Sequence, residues 1–479
     1  MTDIRFSPGS SIDGFRLESR IHAGGMATIW RVTKERVSIP MAMKIPRLKD
    51  GDDSSFVVCF EVEQMILPRL SGPHVPRFVA AGDFSEQPYL VMEHIPGKSL
   101  ESLISESQFN PHEVASVGLR IAKALHDIHR QHVIHLDVTP DNVMFRASGE
   151  AVLVDYGLSR HEQLPDLMAE EFSLPMGTAP YIAPEQVLGV RSDPRSDIFS
   201  LGVILYQMIT GELPFDDPKS MAGLKRRLYL APVPPRAMNK KCPKWLQEII
   251  LTCLEVDPRN RYGSGAQLAL ALENPSQVVL TSRSDLENPD SLMTKLKRWI
   301  SFSRSGPIAN RSVSRHLDSV LIIMAAVDVS PGMETLSDAI RLAVKRIYQG
   351  ERNARITCVA IRKTPLVGID LGLDDEGNNM YVQYLSALKH WAQLMELPSD
   401  RISFHVLESP DPAAALVHYA RANHVEHIVI GARGSSKLRR FLGSVSSHVV
   451  AEAPCSVTVV RLHETWDASG QGSGYSSHG

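Results

Sequence analysis

Apolar and polar positions follow two different patterns along the chain. Between residues 14 and 46, short apolar runs punctuated by glycine predict strands. Phe56, Phe60, Glu63, Leu67 and Leu70 then recur at steps of 4, 3, 4 and 3, which marks one face of a helix over 55–71. Strand-like runs follow at 75–82 and 88–94. From 99 to 272 the pattern is mostly helical, as at 113–131, 196–210 and 244–254. Asn, Pro, Ser and Arg concentrate over 273–317, which predicts a linker. Within it, Leu292, Leu296, Trp299 and Ile300 interleave with Lys295, Lys297 and Arg298. This amphipathic stretch is expected to be a helix packed on its own domain.

Beyond the linker the period changes. A continuous, β-branched-rich apolar run at 320–327 opens an alternation of helices (333–348, 380–396, 412–423, 444–452) with strands (355–361, 402–407, 427–430, 456–460). Such alternation implies an α/β domain with a mostly parallel five-stranded sheet covered on both faces. The expected organisation is an N-terminal extension (1–13), a first domain (14–272), the linker (273–317), the α/β domain (318–462) and a flexible tail (463–479).

Composition narrows the function classes. Lys and Arg number 51 against 54 Asp and Glu, a balance that argues against a nucleic-acid partner. The five cysteines are scattered with no CxxC pair, which speaks against zinc ribbons and disulfide frameworks and suits a reducing compartment. The apolar runs fall well short of the ~18 residues that span a bilayer. The start, MTDIRFSPGS, carries no basic-then-apolar leader. A cytoplasmic protein without a transmembrane segment is expected.

Several landmarks of the first domain suit phosphoryl transfer, which needs positioning and charge neutralisation more than covalent help. A Gly-containing turn, Ile21–His22–Ala23–Gly24–Gly25–Met26–Ala27–Thr28–Ile29, joins two strand-like runs, and Ala42–Met43–Lys44 ends the next strand. His135–Leu136–Asp137–Val138–Thr139–Pro140–Asp141–Asn142 follows a helix, Asp155–Tyr156–Gly157 follows a strand, and Ala183–Pro184–Glu185 comes after. In this order and spacing, the segment from about 14 to 272 resembles the Hanks-type serine/threonine protein kinase family.

The resemblance implies an α+β bilobal protein-kinase fold, with a small lobe over about 14–95 and a large lobe over 96–272. It implies ATP and Mg2+ as cofactors and protein Ser/Thr hydroxyls as substrates. Lys44 would hold the α- and β-phosphates, Asp137 would accept or orient the hydroxyl proton, and Asn142 and Asp155 would hold magnesium through hard oxygen ligands. Glu63 lies in an apolar stripe, where a carboxylate is costly unless paired, and Lys44 is its expected partner. Glu61 lies off that stripe and is expected to be solvated. The hinge would be Met92, Glu93 and Ile95, with Ile21, Ile29, Ala42 and Met144 as apolar walls around the base. Gly24, Gly25, Met26 and Ala27 would form the phosphate turn. Asp197 would anchor the catalytic loop, and Arg261 would pair with Glu185.

Three departures stand out. His22 replaces the first glycine of the phosphate turn, where positive φ favours glycine. Thr139 replaces a lysine that neutralises the transferring group, leaving one hydroxyl donor in the catalytic set. Leu136 replaces the arginine before Asp137. These departures leave open a second reading, a pseudokinase-type nucleotide-binding scaffold. Phosphorylation of a small molecule is disfavoured by residues 177–185, which resemble a protein-substrate docking loop.

The α/β domain resembles the universal stress protein family through Val327–Asp328 and GARGSSKLRRFLGSVSSHVVAEAPCSVTVVR. Asp328, Gly431, Gly434, Gly443 and Ser444 would form an ATP site beyond the strands' carboxyl ends. The spacing departs from the family pattern, with eight residues rather than nine between Gly434 and Gly443. The alternative is that the glycines only build a turn in a sensing module that also serves homodimerisation. The histidines form no HExxH or CxxC…H spacing, so no further metal site is expected.

Overall fold

The structure is a computed structural model. It describes residues 6–47, 55–82, 84, 87–172, 174–289, 293–294, 321–351, 354–365, 372, 374, 379–398, 401–432 and 444–462. Strands β1 (Ser11–Ile12), β2 (Phe15–Ala23), β3 (Ala27–Thr33), β4 (Met41–Pro46), β5 (Phe78–Gly82) and β6 (Tyr89–Glu93) form an antiparallel sheet in the order β1-β2-β3-β4-β6-β5. Alternation along β4 sends Met41, Met43 and Ile45 into an apolar cluster with Phe15, Leu17, Trp30 and Val91. The same alternation turns Ala42 and Lys44 to the opposite face. Ile12 joins that cluster and the Tyr89 hydroxyl donates to Asp13 at 2.7 Å. Strand β1 thus packs with the sheet that follows it.

Helix α1 (Ser55–Ile66) follows β4 and ends in a 3-10 turn at Leu67–Arg69 that contains Pro68. It is buried nearly all round, the condition under which a helix lacks a polar face. The large lobe comprises α2 (Leu100–Glu106), α3 (Pro111–Arg130), α4 (Leu167–Glu171), α5 (Pro184–Val187), α6 (Arg195–Thr210), α7 (Met221–Lys225), α8 (Pro235–Met238), α9 (Lys244–Cys253) and α10 (Gly265–Glu273). It also holds two short antiparallel pairs, β7 (Val133–Ile134) with β10 (Arg160–His161) and β8 (Val143–Phe145) with β9 (Ala151–Leu153). Helix α3 starts at a capping box: the Asn110 side chain accepts from the Glu113 amide, and Glu113 accepts from the Asn110 amide.

The first part of the expected linker is bound to the large lobe. Gln247 Nε2 donates to the carbonyls of Arg283 and Leu286 at 2.8 and 2.9 Å, and Arg283 pairs with Glu248 at 3.1 Å and Glu255 at 2.6 Å. Apart from Met293 and Thr294, the amphipathic stretch lies outside the described residues, as does the tail from 463.

The C-terminal domain is a five-stranded sheet with every neighbouring pair parallel: β11 (Ile322–Ala326), β12 (Arg355–Lys363), β13 (Ile402–Ser409), β14 (His427–Gly431) and β15 (Ser456–Val460), ordered β13-β12-β11-β14-β15. Helices α11 (Glu334–Gly350) and α12 (Met380–Gln393) cover one face, and α13 (Pro412–Ala422) and α14 (Ser444–Glu452) the other. Both faces are covered, which is why the central strands read as unbroken apolar runs. The domain abuts the kinase-like part: Tyr381, Val382, Leu385 and Val406 are buried in the same apolar cluster as Val57, Phe60 and Met168.

Candidate active site

The register of β3, β4 and β6 sets Ile29, Lys44 and Leu90 abreast, with Ala42 and Met92 paired one step further along the same face. Helix α1 presents Glu63, only 1% exposed, whose Oε2 lies 2.6 Å from Lys44 Nζ. Asp155 Oδ1 approaches the same ammonium at 3.0 Å. Burial works against the Lys44 charge, yet Asp155 and Glu63 outweigh it and hold the amine protonated, above its usual range. Burial pushes the Glu63 carboxyl up, opposed by Lys44 and by the Tyr156 amide, which donates to it at 3.4 Å. The Asp155 side chain is 50% exposed. Burial on its inner side is outweighed by Lys44, which keeps this carboxylate below its usual range.

On the large-lobe side, Asp137 Oδ1 accepts from the Thr178 amide at 2.9 Å and Oδ2 from Asn142 Nδ2 at 3.2 Å. Burial pushes the Asp137 carboxyl up, with the Thr178 amide pulling the other way. That direction suits a group that takes up a proton. The loop carrying it is fixed from below by the fully buried Asp197. Its Oδ2 accepts from the His135 amide at 2.9 Å and lies 2.8 Å from His129 Nε2, and its Oδ1 accepts from the Leu136 amide at 2.8 Å. Leu136 is held at φ +63°, a left-handed conformation costly for a branched side chain. Asp197 and Gln186, whose Nε2 donates to the Leu136 carbonyl at 2.9 Å, over-determine it. The expected Arg261–Glu185 pair is present, buried and bidentate at 2.7 and 2.8 Å.

The expected nucleotide-contacting residues divide by position. Ile29, Ala42 and Met92 line the sheet's cleft face, and Met144 on β8 bridges to Ser99 beneath it. Ile95 is buried just past β6, and Ile21 is exposed on β2. The Glu93 carboxylate is tied to Arg146, with Nη2 at 2.9 Å, and this fixes the end of β6 against the large lobe. In the turn, the Gly24 amide donates to the Ala27 carbonyl at 3.1 Å, and Gly25 and Met26 form its tip. His22 is a strand residue paired with Ile29 and is not among the residues with positive φ. The histidine therefore does not disturb the turn.

Thr139 is 3% exposed, and its Oγ1 accepts from the Asn142 amide at 3.3 Å. Its oxygen caps the short 3-10 turn that presents Asn142, so the structure gives Thr139 a loop-shaping contact.

Glu61 corrects an expectation. It is 7% exposed and ion-paired with Lys389 of α12, because the C-terminal domain covers the face of α1 that the periodicity had assigned to solvent. The signal was in the sequence: Phe56, Val57, Val58, Cys59, Phe60 and Val62 leave α1 no polar face. Sequence reasoning also missed Arg47, which ties the phosphate turn to β4 by donating through Nη1 to the Gly24 carbonyl at 2.8 Å. A third omission is the buried Arg227, whose Nη2 donates to the Ala179 carbonyl at 2.8 Å and whose Nη1 reaches the Ile182 carbonyl, holding the segment expected to be a docking loop. Single basic residues without a motif gave no sequence signal for these roles.

The donor set fits a divalent metal. Asn142 spends its amide nitrogen on Asp137, leaving the amide oxygen as the ligand atom, and Asp155 offers a charged, half-open carboxylate. Among the described residues there is no cluster of three or more His, Cys, Asp or Glu side chains placed to hold a metal. Two protein oxygens supplemented by nucleotide phosphates are the usual arrangement for magnesium.

A second cavity, of about 880 Å³, opens at the carboxyl ends of β11, β12 and β14 and is lined by Asp328, Lys363, Gly431, Ser444 and His448 among others. Its size falls within the ordinary range of ligand sites. Gly431 has a packing reason of its own, since a Cβ there would meet Leu336 at 2.8 Å. Gly434 and Gly443 lie outside the described residues.

Residues 15–273 match the protein kinase domain family, and residues 321–461 match the universal stress protein family. The first match takes in more than half of the sequence. The chain belongs to the protein kinase family and carries a universal stress protein domain after its kinase domain. It is 31% identical over 274 residues to a probable serine/threonine-protein kinase of Clostridium perfringens, covering 56% of this chain and 40% of that one. It is 30% identical over 260 residues to the serine/threonine-protein kinase PknL of Mycobacterium bovis (54% and 65% covered). It is also 30% identical over 267 residues to PknB of Mycobacterium tuberculosis (55% and 43%). The chain thus spans less than two thirds of the length of each of these relatives. A solved structure, the PknI kinase domain of M. tuberculosis, is similar over 57% of this chain and 100% of its own, at 22% identity and a TM-score of 0.46.

Proposed function

We propose that the chain is an ATP-dependent serine/threonine protein kinase that transfers the γ-phosphate to protein hydroxyls with Mg2+ as the metal. The observation that carries this reading is the joint presence of the Lys44–Glu63–Asp155 triangle and an Asp137 held by Thr178 and Asn142. Lys44 is fixed between two carboxylates and presents a permanent positive charge to the phosphates. Magnesium, held by Asn142 and Asp155 when bound, would neutralise phosphate charge. Asp137 orients the substrate hydroxyl and takes its proton. The docking-loop segment pinned by Arg227 supports a polypeptide substrate. Incubation of the purified chain with labelled ATP, magnesium and a generic basic protein, followed by phosphoamino-acid analysis, tests the reading. Phosphoserine or phosphothreonine that vanishes in Asp137→Asn supports it, and no label in the wild type sinks it.

The cavity of the C-terminal domain supports nucleotide binding there through Asp328 and Ser444. Calorimetry on the full chain should register a second ATP equivalent that Asp328→Ala removes. A single equivalent unchanged by that substitution would favour a structural role for the glycines. The strand β15, at the sheet edge, supports homodimerisation through this domain, testable by sedimentation. A cytoplasmic location is supported by five free cysteines, four of them buried. Among the described residues, no helix is long and apolar enough to cross a membrane.

A further inference from the structure

The kinase domain and the C-terminal domain interlock at two elements, α1 and α4. Lys389 of α12 pairs with Glu61 on α1, and its ammonium also sits 5.1 Å from the centroid of the Phe84 ring. Phe84 in turn packs edge-on against Phe60 of α1 at 5.9 Å. Helix α4, between Asp155 and Glu185, sends two adjacent carboxylates into the other domain. Glu170 pairs with Arg355 of β12, lies 2.7 Å from His405 Nε2 and accepts from the Tyr419 hydroxyl at 3.1 Å. Glu171 lies 3.0 Å from His405 Nδ1 and accepts from the Tyr381 hydroxyl at 2.9 Å. The His405 side chain is fully buried, and those of Glu170 and Glu171 are 9% and 6% exposed. The two kinase elements also touch each other, with Cys59 Sγ 4.0 Å from Met168 Sδ.

Buried charges of this kind are costly to separate from their partners, so the contact fixes geometry. Helix α1 is gripped on its inner side through Glu63–Lys44 and on its outer side through Glu61–Lys389. We propose that Lys389, Arg355 and His405 of the universal stress protein domain are positioning residues for phosphoryl transfer: they clamp α1 and α4 in the arrangement in which Glu63 reaches Lys44. The substrate-facing groups stay in the kinase domain, and the C-terminal domain contributes by holding them. The inference rests on the kinase reading above for its effect on rate, and on geometry alone for its effect on α1.

The test uses the full chain and two readouts, amide hydrogen exchange and steady-state kinetics. In Lys389→Glu, repulsion with Glu61 should speed exchange across 55–66 and 167–171 by about tenfold or more while strands 322–326 and 427–431 keep their protection. The turnover number should fall about tenfold with little change in KM for the protein substrate. Lys389→Arg should behave as wild type, and the swap Glu61→Lys with Lys389→Glu should recover both readouts. Unchanged exchange in α1 together with unchanged turnover overturns the proposal. If the wild type transfers no phosphate, the kinase reading fails and exchange alone decides the clamp. If Lys389→Glu unfolds the C-terminal strands, Glu61→Gln removes the pair from the kinase side and is judged by the same criteria.

Discussion

Glu61 and Glu63, two positions apart on α1, are ion-paired in opposite directions: Glu63 with Lys44 of the small lobe and Glu61 with Lys389 of the C-terminal domain. Residues so spaced on a helix lie about 200° apart around its axis. One helix therefore carries the ion pair of the candidate active site on one side and a domain interface on the other.

The contact between α4 and the C-terminal domain is expected to respond to pH through His405. His405 is faced by Glu170 and Glu171 of α4 and by the Tyr419 ring of α13, while Arg355 of β12 reaches Glu170, Tyr381 of α12 reaches Glu171, and Glu61 of α1 lies near Glu171. Burial works against the His405 charge, but the two carboxylates prevail and raise its pKa to about 9 from 6.5. The stabilisation it supplies is complete below pH 6.5 and is lost as pH rises through about 9. Burial pushes Glu171 up as well, a shift of the same sign. Against the cost of burial, Arg355 and His405 hold Glu170 down to about 2, so its contribution is lost only in acid. Exchange of the 167–171 amides, corrected for intrinsic rate, should quicken between pH 6.5 and 9 in the wild type. That pH dependence should be reduced in His405→Gln, and an identical profile in the two proteins would contradict the assignment.

The Arg261–Glu185 pair predicts a stability effect separate from chemistry. Arg261 is fully buried and also donates to the carbonyls of Glu255 and Arg195 at 2.7 and 2.9 Å. Arg261→Ala leaves a buried carboxylate without its partner and should cost about 3–5 kcal/mol. Chemical denaturation should show it as a lower midpoint for the large lobe, and a loss under about 1 kcal/mol would mean that water replaces the guanidinium.

Much of the site was legible in the sequence because its chemistry is carried by residue types at fixed spacings. Lys44, Glu63, Asp137, Asn142 and Asp155 come together as the motifs implied, and the strand–helix alternation after 320 gave the parallel sheet. What the sequence hid depends on partners distant in the chain. Periodicity sorted α1 into an apolar face and a remainder and so assigned Glu61 to water; the apolar run around it signalled burial, but its partner Lys389, 328 positions away, could not be read from the chain. The polar composition of 275–287 read as linker, although Gln247, Glu248 and Glu255 bind it to the large lobe. His22 looked disruptive because a motif places glycine there, whereas the hairpin accommodates it as a strand residue.

Activity should not require a phosphate on the segment between Asp155 and Glu185. A phosphate that orders this loop docks on a cationic side chain next to the catalytic aspartate, and Leu136, buried at that position, has no charge to offer. Ser159 is itself buried and donates to the His135 carbonyl at 3.1 Å, which makes it a structural hydroxyl. Ser173 lies outside the described residues. Phosphatase-treated Ser159→Ala, Ser173→Ala protein should keep initial rates within a few-fold of wild type. Near-total loss with the fold intact would contradict this.

The most direct test of the central claim is the rate of phosphate transfer from labelled ATP to a basic protein by the wild type and by Asp137→Asn, measured side by side with magnesium. The substitution keeps the side-chain shape but removes the carboxylate that accepts from Thr178 and Asn142 and that, in the proposed reading, takes the hydroxyl proton. The account predicts phosphoserine or phosphothreonine with the wild type and a fall of about a hundredfold or more with Asp137→Asn, within the range for loss of a general base. Full activity in purified Asp137→Asn would contradict it.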